Sequence, residues 1–418
     1  MTQTNQFLDL EIRIHPSNDR VAAYPVEIAL GSGQEFQGYL SADILPWTAS
    51  ADPVHDGQKL FDAIFHNRAL RAAWDEARGQ SLQRRIRLRI DPNAPELYAL
   101  PWELLHESGT LLSASGDTPF SRYLAVSKPW GGAVEERPIR VLVAISNPED
   151  LQDTYNLAPL NVDVEQAILR QAFSALDEIE LNFVTPPVTL ERIEEALRTG
   201  YHILHYVGHG LFNKRRQQAA LYLQDEEGDA EVVRDSALVG MLARQPTLAR
   251  PRLIFLAACQ SAARSTANAF LGLGPSLVAA GVPAVVAMQD FVAIETARKL
   301  SLAFYKRLAE HRVVDYALNL ARSTLLTAGR PDAAVPVLFM RYKSGQLWQD
   351  TATQAEEPPD RGLEPKYNIH VKDSQVGVIG DNVKIKGGIH FGRTTHVTQT
   401  AGDDAIHIGQ ARDVTINK

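Results

Sequence analysis

The sequence predicts an α/β protein with a mostly parallel sheet that is covered by helices on both faces. Between about residues 136 and 343, apolar runs alternate with segments in which apolar residues recur at helical spacing. Runs that are apolar along their whole length are typical of parallel strands buried on both faces. The runs are IRVLVAIS (139–146), IELNFV (179–184), YHILHYVG (201–208), RLIFLAAC (252–259), VPAVVAM (282–288) and VPVLFMRY (335–342).

Four helices are predicted between these strands, at 162–176, 190–198, 296–308 and 314–326. Thr189 is suited to cap the second helix and Gly200 to end it, while Gly329 and Pro331 end the last one. The longest uncharged stretch, 269–289, is interrupted by glycines and prolines. It therefore predicts a turn, a short helix and a buried strand rather than a membrane span.

The chain divides into four parts. Residues 1–135 form an N-terminal α+β part with three strand-like runs and an amphipathic stretch at about 57–78, and residues 136–343 form the α/β part. Residues 344–367 are polar and contain proline, as linkers do. Residues 368–418 alternate apolar and polar positions between Gly, Asn and Asp, which predicts very short strands. Such strands must be stabilised by stacking on repeats or on other chains.

Composition excludes several classes of function. The 418 residues carry a net charge of -8, which argues against a nucleic-acid partner or an anionic membrane partner. Cys259 is the one cysteine, so no internal disulfide forms and the composition fits a reducing, cytoplasmic location. The first residues lack a basic segment followed by an apolar one, so no signal peptide is expected.

Three histidines, His202, His205 and His209, lie in the segment HILHYVGHG. On a helix they would share a face and suggest a zinc hydrolase, but the run of Ile, Leu, Tyr and Val favours a strand. On a strand His202 and His205 point to opposite faces, which disfavours a shared metal. His209 then lies between two glycines, where the chain leaves the sheet.

The next strand of the predicted sheet ends in the same way, at Cys259. Ligands of open parallel sheets bind outside the carboxyl ends of strands, so His209 and Cys259 meet there if their strands are neighbours. The imidazole can take the thiol proton and so prepare a nucleophile. The backbone N–H groups of Gly210 and Cys259 would form an oxyanion hole. The alternative is that Cys259 is a small buried apolar residue.

These two blocks, HILHYVGHG and LIFLAACQSA, resemble the CHAT peptidases of the caspase–separase group, as do RIRLRIDPNAPELYALPWELL, LYLQDEEGDAEVV and the segment that begins GVPAVVAMQ. The resemblance implies a caspase-like fold with a Cys259–His209 dyad and Gly210 as an oxyanion donor. His202 and His205 become structural, with His205 at the back of the site. The candidate substrate-pocket residues are His205, Gly208, Gln260, Ser261, Gln289 and Asp290.

The resemblance has one departure, because Ile294 stands where related sequences often carry an Asp. Asp290 could select a basic side chain before the scissile bond, or it could simply be a solvated loop acid. Two stretches of the tail, SQVGVIGDNVKI and AIHIGQARDVTI, resemble RHIM-type amyloid signalling motifs. An ordinary hairpin or a small β-solenoid would also suit this pattern.

The predicted function is that of a cysteine endopeptidase in a regulated signalling or defence pathway, without a cofactor or metal. Its expected partners are a protein substrate, a second copy joined through residues 368–418, and a sensor or NTPase with a similar tail. The alternative from another class is a catalytically silent caspase-like scaffold that acts through its tail. A thiol-reactive peptide would distinguish the two, since a scaffold needs no reactive Cys259.

Overall fold

The structure is a computed structural model that describes residues 7–17, 22–50, 52–126, 132–174, 176–213, 218–258, 267–290, 292–348, 367–371, 397–401 and 414–417. The chain separates into two compact units, residues 1–349 and 350–418.

The strands of the first unit are β1 (Leu8–Ile14), β2 (Ala23–Leu30), β3 (Glu35–Ser41), β4 (Arg84–Ile90), β5 (His106–Glu107), β6 (Thr110–Leu111), β7 (Phe120–Tyr123), β8 (Ile139–Ile145), β9 (Ile179–Phe183), β10 (Ile203–Gly208), β11 (Gly210–Asn213), β12 (Gln218–Gln224), β13 (Ala230–Arg234), β14 (Leu253–Ala258), β15 (Ala284–Met288) and β16 (Pro336–Met340). Its helices are α1 (Pro53–Phe65), α2 (Arg68–Gln80), α3 (Leu151–Tyr155), α4 (Val162–Phe173), α5 (Leu190–Arg198), α6 (Asp235–Arg244), α7 (Ala267–Ala280), α8 (Ile294–His311) and α9 (Val314–Thr327).

Among the described residues, eleven strands form one sheet in the order β3-β2-β1-β4-β7-β16-β15-β14-β10-β8-β9. Seven of its neighbouring pairs are parallel and three are antiparallel. The predicted α/β class with a mostly parallel sheet is therefore confirmed. The N-terminal strands continue the same sheet, because β4 pairs with β7 and β7 pairs with β16.

Helices cover both faces of the sheet, as predicted. Apolar side chains of α4, α8 and α9 pack on one face, and those of α5, α6 and α7 pack on the other together with β12 of the small sheet β11-β12-β13. The Thr189 hydroxyl accepts a hydrogen bond from the Arg192 N–H at 3.1 Å, which confirms it as the cap of α5. The helix ends before Gly200, whose φ is +91°.

The amphipathic stretch near residues 57–78 forms two helices rather than one. The Asn67 side chain accepts a hydrogen bond from the Ala69 N–H at 3.0 Å and so begins α2 as a new helix. Phe61 and Phe65 of α1 pack against Trp74 of α2, with ring centroids 5.3 and 5.0 Å from the indole. This cluster belongs to a separate core over strands β1, β2 and β4.

The stretch 269–289 contains the predicted helix, turn and buried strand, with the turn at Gly281, but its helix is longer than predicted. Helix α7 runs from Ala267 to Ala280, straight through Gly274 and Pro275. A side chain at Gly274 would place its Cβ 2.4 Å from the Phe339 ring, so this glycine allows close packing of the helix on β16 rather than ending the helix. The second half forms the predicted buried strand, β15. Within the described ranges, no helix combines the length and the apolar character that crossing a membrane requires.

The beginning of the predicted linker is packed onto the first unit. Leu347 and Trp348 are fully buried, and the Val134 N–H donates to the Leu347 carbonyl at 2.9 Å. In the second unit, β17 (Tyr367–Val371) pairs antiparallel with β18 (Val397–Ala401), which pairs parallel with β19 (Val414–Asn417). Of the two tail stretches that resemble RHIM-type motifs, the first lies outside the described residues. Only the end of the second is described, where it enters β19.

Candidate active site

The site is built at the carboxyl ends of two central strands. Strands β10 and β14 are parallel neighbours, as the argument from the sequence required, and Gly208 is in register with Ala258. His209 and Cys259 are the residues that follow this pair in the chain. Cys259 lies outside the described residues, as do Gln260 and Ser261. The strand register thus brings both exits to one edge of the sheet.

The two ring nitrogens of His209 have different surroundings. Nε2 lies 2.9 Å from the Ala158 carbonyl oxygen, and because a carbonyl only accepts, Nε2 carries the proton. Nδ1 therefore presents a lone pair, and within the described residues it has no hydrogen-bond partner. The residue is 1% exposed. Burial lowers the pKa of His209, with the hydrogen bond to Ala158 acting in the opposite direction. At neutral pH the imidazole is an uncharged base.

The backbone at His209 is held by an aromatic hydroxyl. The Tyr206 hydroxyl lies 2.9 Å from the carbonyl oxygens of both His209 and Tyr222, and the Tyr222 N–H donates to the His209 carbonyl at 3.1 Å. Gly208 is required for this arrangement, since a Cβ there would lie 2.3 Å from the Tyr206 hydroxyl oxygen. Gly208, a predicted pocket residue, thus has a local packing role.

The segment that supplies the Ala158 carbonyl is itself anchored on both sides. Before it, the Leu157 N–H donates to the Leu151 carbonyl at 3.0 Å. After it, the Leu160 N–H donates to the Asn147 side-chain oxygen at 2.7 Å. Ala158 carries no signal in the sequence, because every residue has a carbonyl and no residue type marks this one.

Gly210 is the first residue of β11 and is buried. It is in antiparallel register with Leu221 of β12. The residue before it is His209, whose carbonyl is bound by the Tyr206 hydroxyl and the Tyr222 N–H. This places the residue beside His209. Its partner in the predicted oxyanion hole is the N–H of Cys259, which lies outside the described residues, so that hole stays a prediction.

His205 lies in the interior. Its Nδ1 is 2.9 Å from the Tyr305 hydroxyl, and its ring stacks on Phe255 with centroids 4.9 Å apart. Burial lowers the pKa of His205 to about 3, so the ring is neutral at physiological pH. With Val207 and Ala257 it lines a small gap beneath α4 and α8. These are the contacts of a structural residue behind the strand exits.

His202 lies at the opposite end of β10 from His209. Its Nδ1 accepts a hydrogen bond from the Arg140 N–H at 3.0 Å, and burial lowers its pKa to about 4. The three histidines therefore occupy the beginning, the middle and the exit of one strand. In the part of the chain that the structure describes, no group of three or more His, Cys, Asp or Glu side chains could hold a metal ion.

Gln289 and Asp290 follow β15, the strand on the other side of β14. The Gln289 side chain accepts from Arg122 at 2.9 Å and donates to the Ala334 carbonyl at 3.0 Å, so both of its ends are used within the chain. Asp290 is exposed at the same edge of the sheet. Ile294, at the position where an Asp was expected, begins α8.

This arrangement belongs to the α/β proteins that carry their functional residues at the carboxyl ends of adjacent parallel strands. The chain belongs to the CHAT domain family, whose family model matches residues 54–370, about three quarters of its length. No curated protein matches the sequence.

Similar solved structures include the separase–securin complex of Saccharomyces cerevisiae and two structures of gingipain R from Porphyromonas gingivalis. The separase match has a TM-score of 0.34 and 14% identity over 65% of this chain, which spans 17% of the separase chain. The complex of the RgpB pro- and mature domains matches with a TM-score of 0.41 and 10% identity, covering 79% of this chain and 75% of the other. The Arg-specific cysteine proteinase gingipain R matches with a TM-score of 0.40 and 11% identity, covering 79% and 73%.

Proposed function

We propose that the protein is a cysteine endopeptidase in which Cys259 is the nucleophile and His209 is its general base. The observation that carries this proposal is the state of the His209 ring. Its Nε2–H is committed to the Ala158 carbonyl, and its Nδ1 is a buried, neutral acceptor one residue past the Gly208–Ala258 pair. Cys259 follows Ala258 directly in the sequence, so it is the first residue after the end of the neighbouring strand.

The chemistry follows from these groups. Nδ1 accepts the proton of the thiol, and the thiolate attacks the carbonyl carbon of the scissile peptide bond. The N–H groups of Gly210 and Cys259 stabilise the negative oxygen that forms. The imidazolium then gives its proton to the departing amine, which leaves an acyl-enzyme. Water, deprotonated by the same imidazole, hydrolyses this thioester and restores the free thiol.

Other predicted residues complete the proposed site. Gln260 and Ser261 continue the chain after the nucleophile. Asp290, exposed at the exit of β15, would border the pocket for the residue before the scissile bond and favour a basic side chain there. His205 supports the strand from behind, through its bond with Tyr305.

The tail would regulate this activity through assembly of copies or recruitment by a sensor or NTPase with a similar tail. Support comes from the parallel register of β18 and β19, in which two of the four residue pairs are alike, Val397 with Val414 and Thr398 with Thr415. Parallel pairing of like residues is the geometry of stacked cross-β segments. A chain that lacks residues 368–418 is expected to lose this assembly, and an unchanged particle size by light scattering would contradict the regulatory role.

The test of the enzyme itself uses Cys259→Ala, with Ser276→Ala as the control, because Ser276 lies on α7 and its hydroxyl only donates to the Gly272 carbonyl of the same helix at 3.2 Å. Both proteins and the wild type are expressed, and new protein N-termini are mapped across the host proteome. We expect neo-N-termini with the wild type and with Ser276→Ala, and none with Cys259→Ala. In parallel, a thiol-reactive peptide ketone should label the wild type at Cys259. Cleavage that persists without the thiol would refute the peptidase, and an inert thiol would favour the silent scaffold.

A further inference from the structure

A fully buried ion pair lies next to the exit of β15. Glu103 is 0% exposed and Arg122 of β7 is 2% exposed. The Arg122 guanidinium donates to both carboxylate oxygens of Glu103, from Nε at 2.9 Å and from Nη2 at 2.5 Å. A buried pair of this kind is retained only where geometry and further hydrogen bonds satisfy both charges.

Arg122 reaches three more acceptors. Nη1 donates to the Tyr98 carbonyl at 2.7 Å, and Nη2, which already binds Glu103, shares its two hydrogens with the Leu100 carbonyl at 3.1 Å and the Gln289 side-chain oxygen at 2.9 Å. Two of these acceptors are backbone carbonyls of the segment that also carries Glu103. Gln289 is different, because it directly follows β15, the strand next to β14. The pair therefore joins the N-terminal part of the chain to the edge at which the proposed site lies.

Gln289 is held at the point where the strand ladder stops. The pairing of β15 with β16 ends at Met288 opposite Pro336. Beyond it, the Gln289 N–H donates to the Val335 carbonyl at 3.1 Å and its side-chain amide donates to the Ala334 carbonyl at 3.0 Å. Arg122 supplies the third tie, so Gln289 is constrained from three directions.

The other end of this segment is anchored too. The Ala293 N–H and the Thr296 hydroxyl donate to the two carboxylate oxygens of Asp332, at 3.3 and 3.1 Å. The exposed Asp290 lies between these two anchors. A side chain that selects substrates by charge must be held in position. The hydrogen bonds of a strand ladder do not hold a loop that lies beyond the end of the ladder, so other contacts must fix it.

We propose that Gln289, held by the Glu103–Arg122 pair, is a positioning residue that fixes the wall of the substrate pocket on which Asp290 lies. The inference rests on the proposed function, since it assigns a pocket wall to that site. Arg is required rather than Lys, because its planar fork binds the Glu103 carboxylate with two groups and still reaches Gln289.

The experiment compares Gln289→Met with Gln245→Met in the full chain. Gln245 is a matched control, because it is 3% exposed and its amide also donates to a backbone carbonyl, that of Glu194, at 3.1 Å. Methionine keeps the side-chain volume in both variants and removes the hydrogen bonds. A third variant, Gln289→Glu, keeps an acceptor for Arg122, replaces the donor to the Ala334 carbonyl by a carboxylate oxygen and adds a negative charge.

Two readouts are measured. Hydrogen exchange reports the amides of residues 288–293, which should exchange faster in Gln289→Met than in the wild type and in Gln245→Met. Steady-state kinetics with fluorogenic peptides that carry Arg, Gln or Asp before the scissile bond should show KM raised about tenfold in Gln289→Met, with kcat changed less than about twofold. Gln289→Glu should lie between the wild type and Gln289→Met. The rate at which iodoacetamide alkylates Cys259 should not change.

Each result decides a different claim. Unchanged exchange in Gln289→Met would overturn the positioning role. Faster exchange with an unchanged KM, or the same KM change in Gln245→Met, would overturn the link to the pocket. If the wild type neither cleaves the peptides nor reacts with a peptide ketone, the proposed function fails and the pocket fails with it. The exchange data would then still decide whether Arg122 and Gln289 fix the segment.

Discussion

Two histidines four residues apart show how different two equally buried rings can be. His205 and His209 are both 1% exposed. His205 lies in the core, bonded to the Tyr305 hydroxyl and stacked on Phe255. His209 lies at the exit of the same strand, with one nitrogen bonded to Ala158 and the other without a partner in the described residues. Burial alone therefore does not separate a structural imidazole from one with the proposed catalytic role.

The two rings differ in what their nitrogens contact. Desolvation lowers the pKa of both rings and makes both neutral. At His209 a fixed carbonyl also chooses the tautomer, which leaves the lone pair on Nδ1. At His205 the corresponding contact is a hydroxyl on α8, and aromatic rings surround the imidazole. The first arrangement suits proton transfer, and the second suits packing.

The largest expected effect is on kcat, when His209 and His205 are each replaced by glutamine. His209→Gln should lower kcat by roughly 10²–10⁴-fold, because the general base is lost. His205→Gln should leave kcat within a few-fold of the wild type once the folded fraction is corrected by circular dichroism. Equal losses in both variants would show that His209 acts through the fold rather than as a base.

The second effect is on stability and should be confined to His205. In His205→Phe the buried Tyr305 hydroxyl loses its partner, which should cost about 1–3 kcal/mol in the free energy of unfolding. The double variant with Tyr305→Phe should recover much of this loss, because both polar partners are then removed. Urea unfolding of the four proteins of this cycle measures the coupling. Additive losses would mean that the hydrogen bond contributes nothing.

The third effect is the pH dependence of that loss. Unfolded His205 takes up a proton below pH about 6.5, whereas the folded ring, with a pKa of about 3, does not. The unfolded state binds more protons in this window. Through this residue, the unfolding free energy of the wild type therefore falls by up to about 1.4 kcal/mol for each unit by which the pH drops between 6.5 and 3.

His205→Phe lacks this contribution, so its deficit in unfolding free energy relative to the wild type should shrink from pH 7 to pH 5. Urea unfolding at both pH values tests this. A deficit that stays constant would mean that His205 is not held neutral in the folded state.

Much of the fold follows from residue patterns in single segments. The apolar runs at 139–146 and 201–208 correspond to β8 and β10, and Thr189 caps α5 as its hydroxyl predicts. The pattern was less informative at α7, because the glycines within 269–289 suggested a short helix, whereas Gly274 lies inside a helix of 14 residues and lets that helix approach Phe339. The sequence contains the glycine but not its distant neighbour.

The sequence by itself determined the alternation of strands and helices, and it pointed to the exits of β10 and β14, because periodicity and the choice of residue at a strand end are local properties. Tertiary structure alone decided that those strands are neighbours in register, that Ala158 sets the tautomer of His209, and that Glu103 reaches Gln289 through Arg122. These contacts join segments from 19 to 167 residues apart. They depend on how the chain closes in space, and no local pattern encodes which carbonyl or carboxylate lies opposite a given side chain.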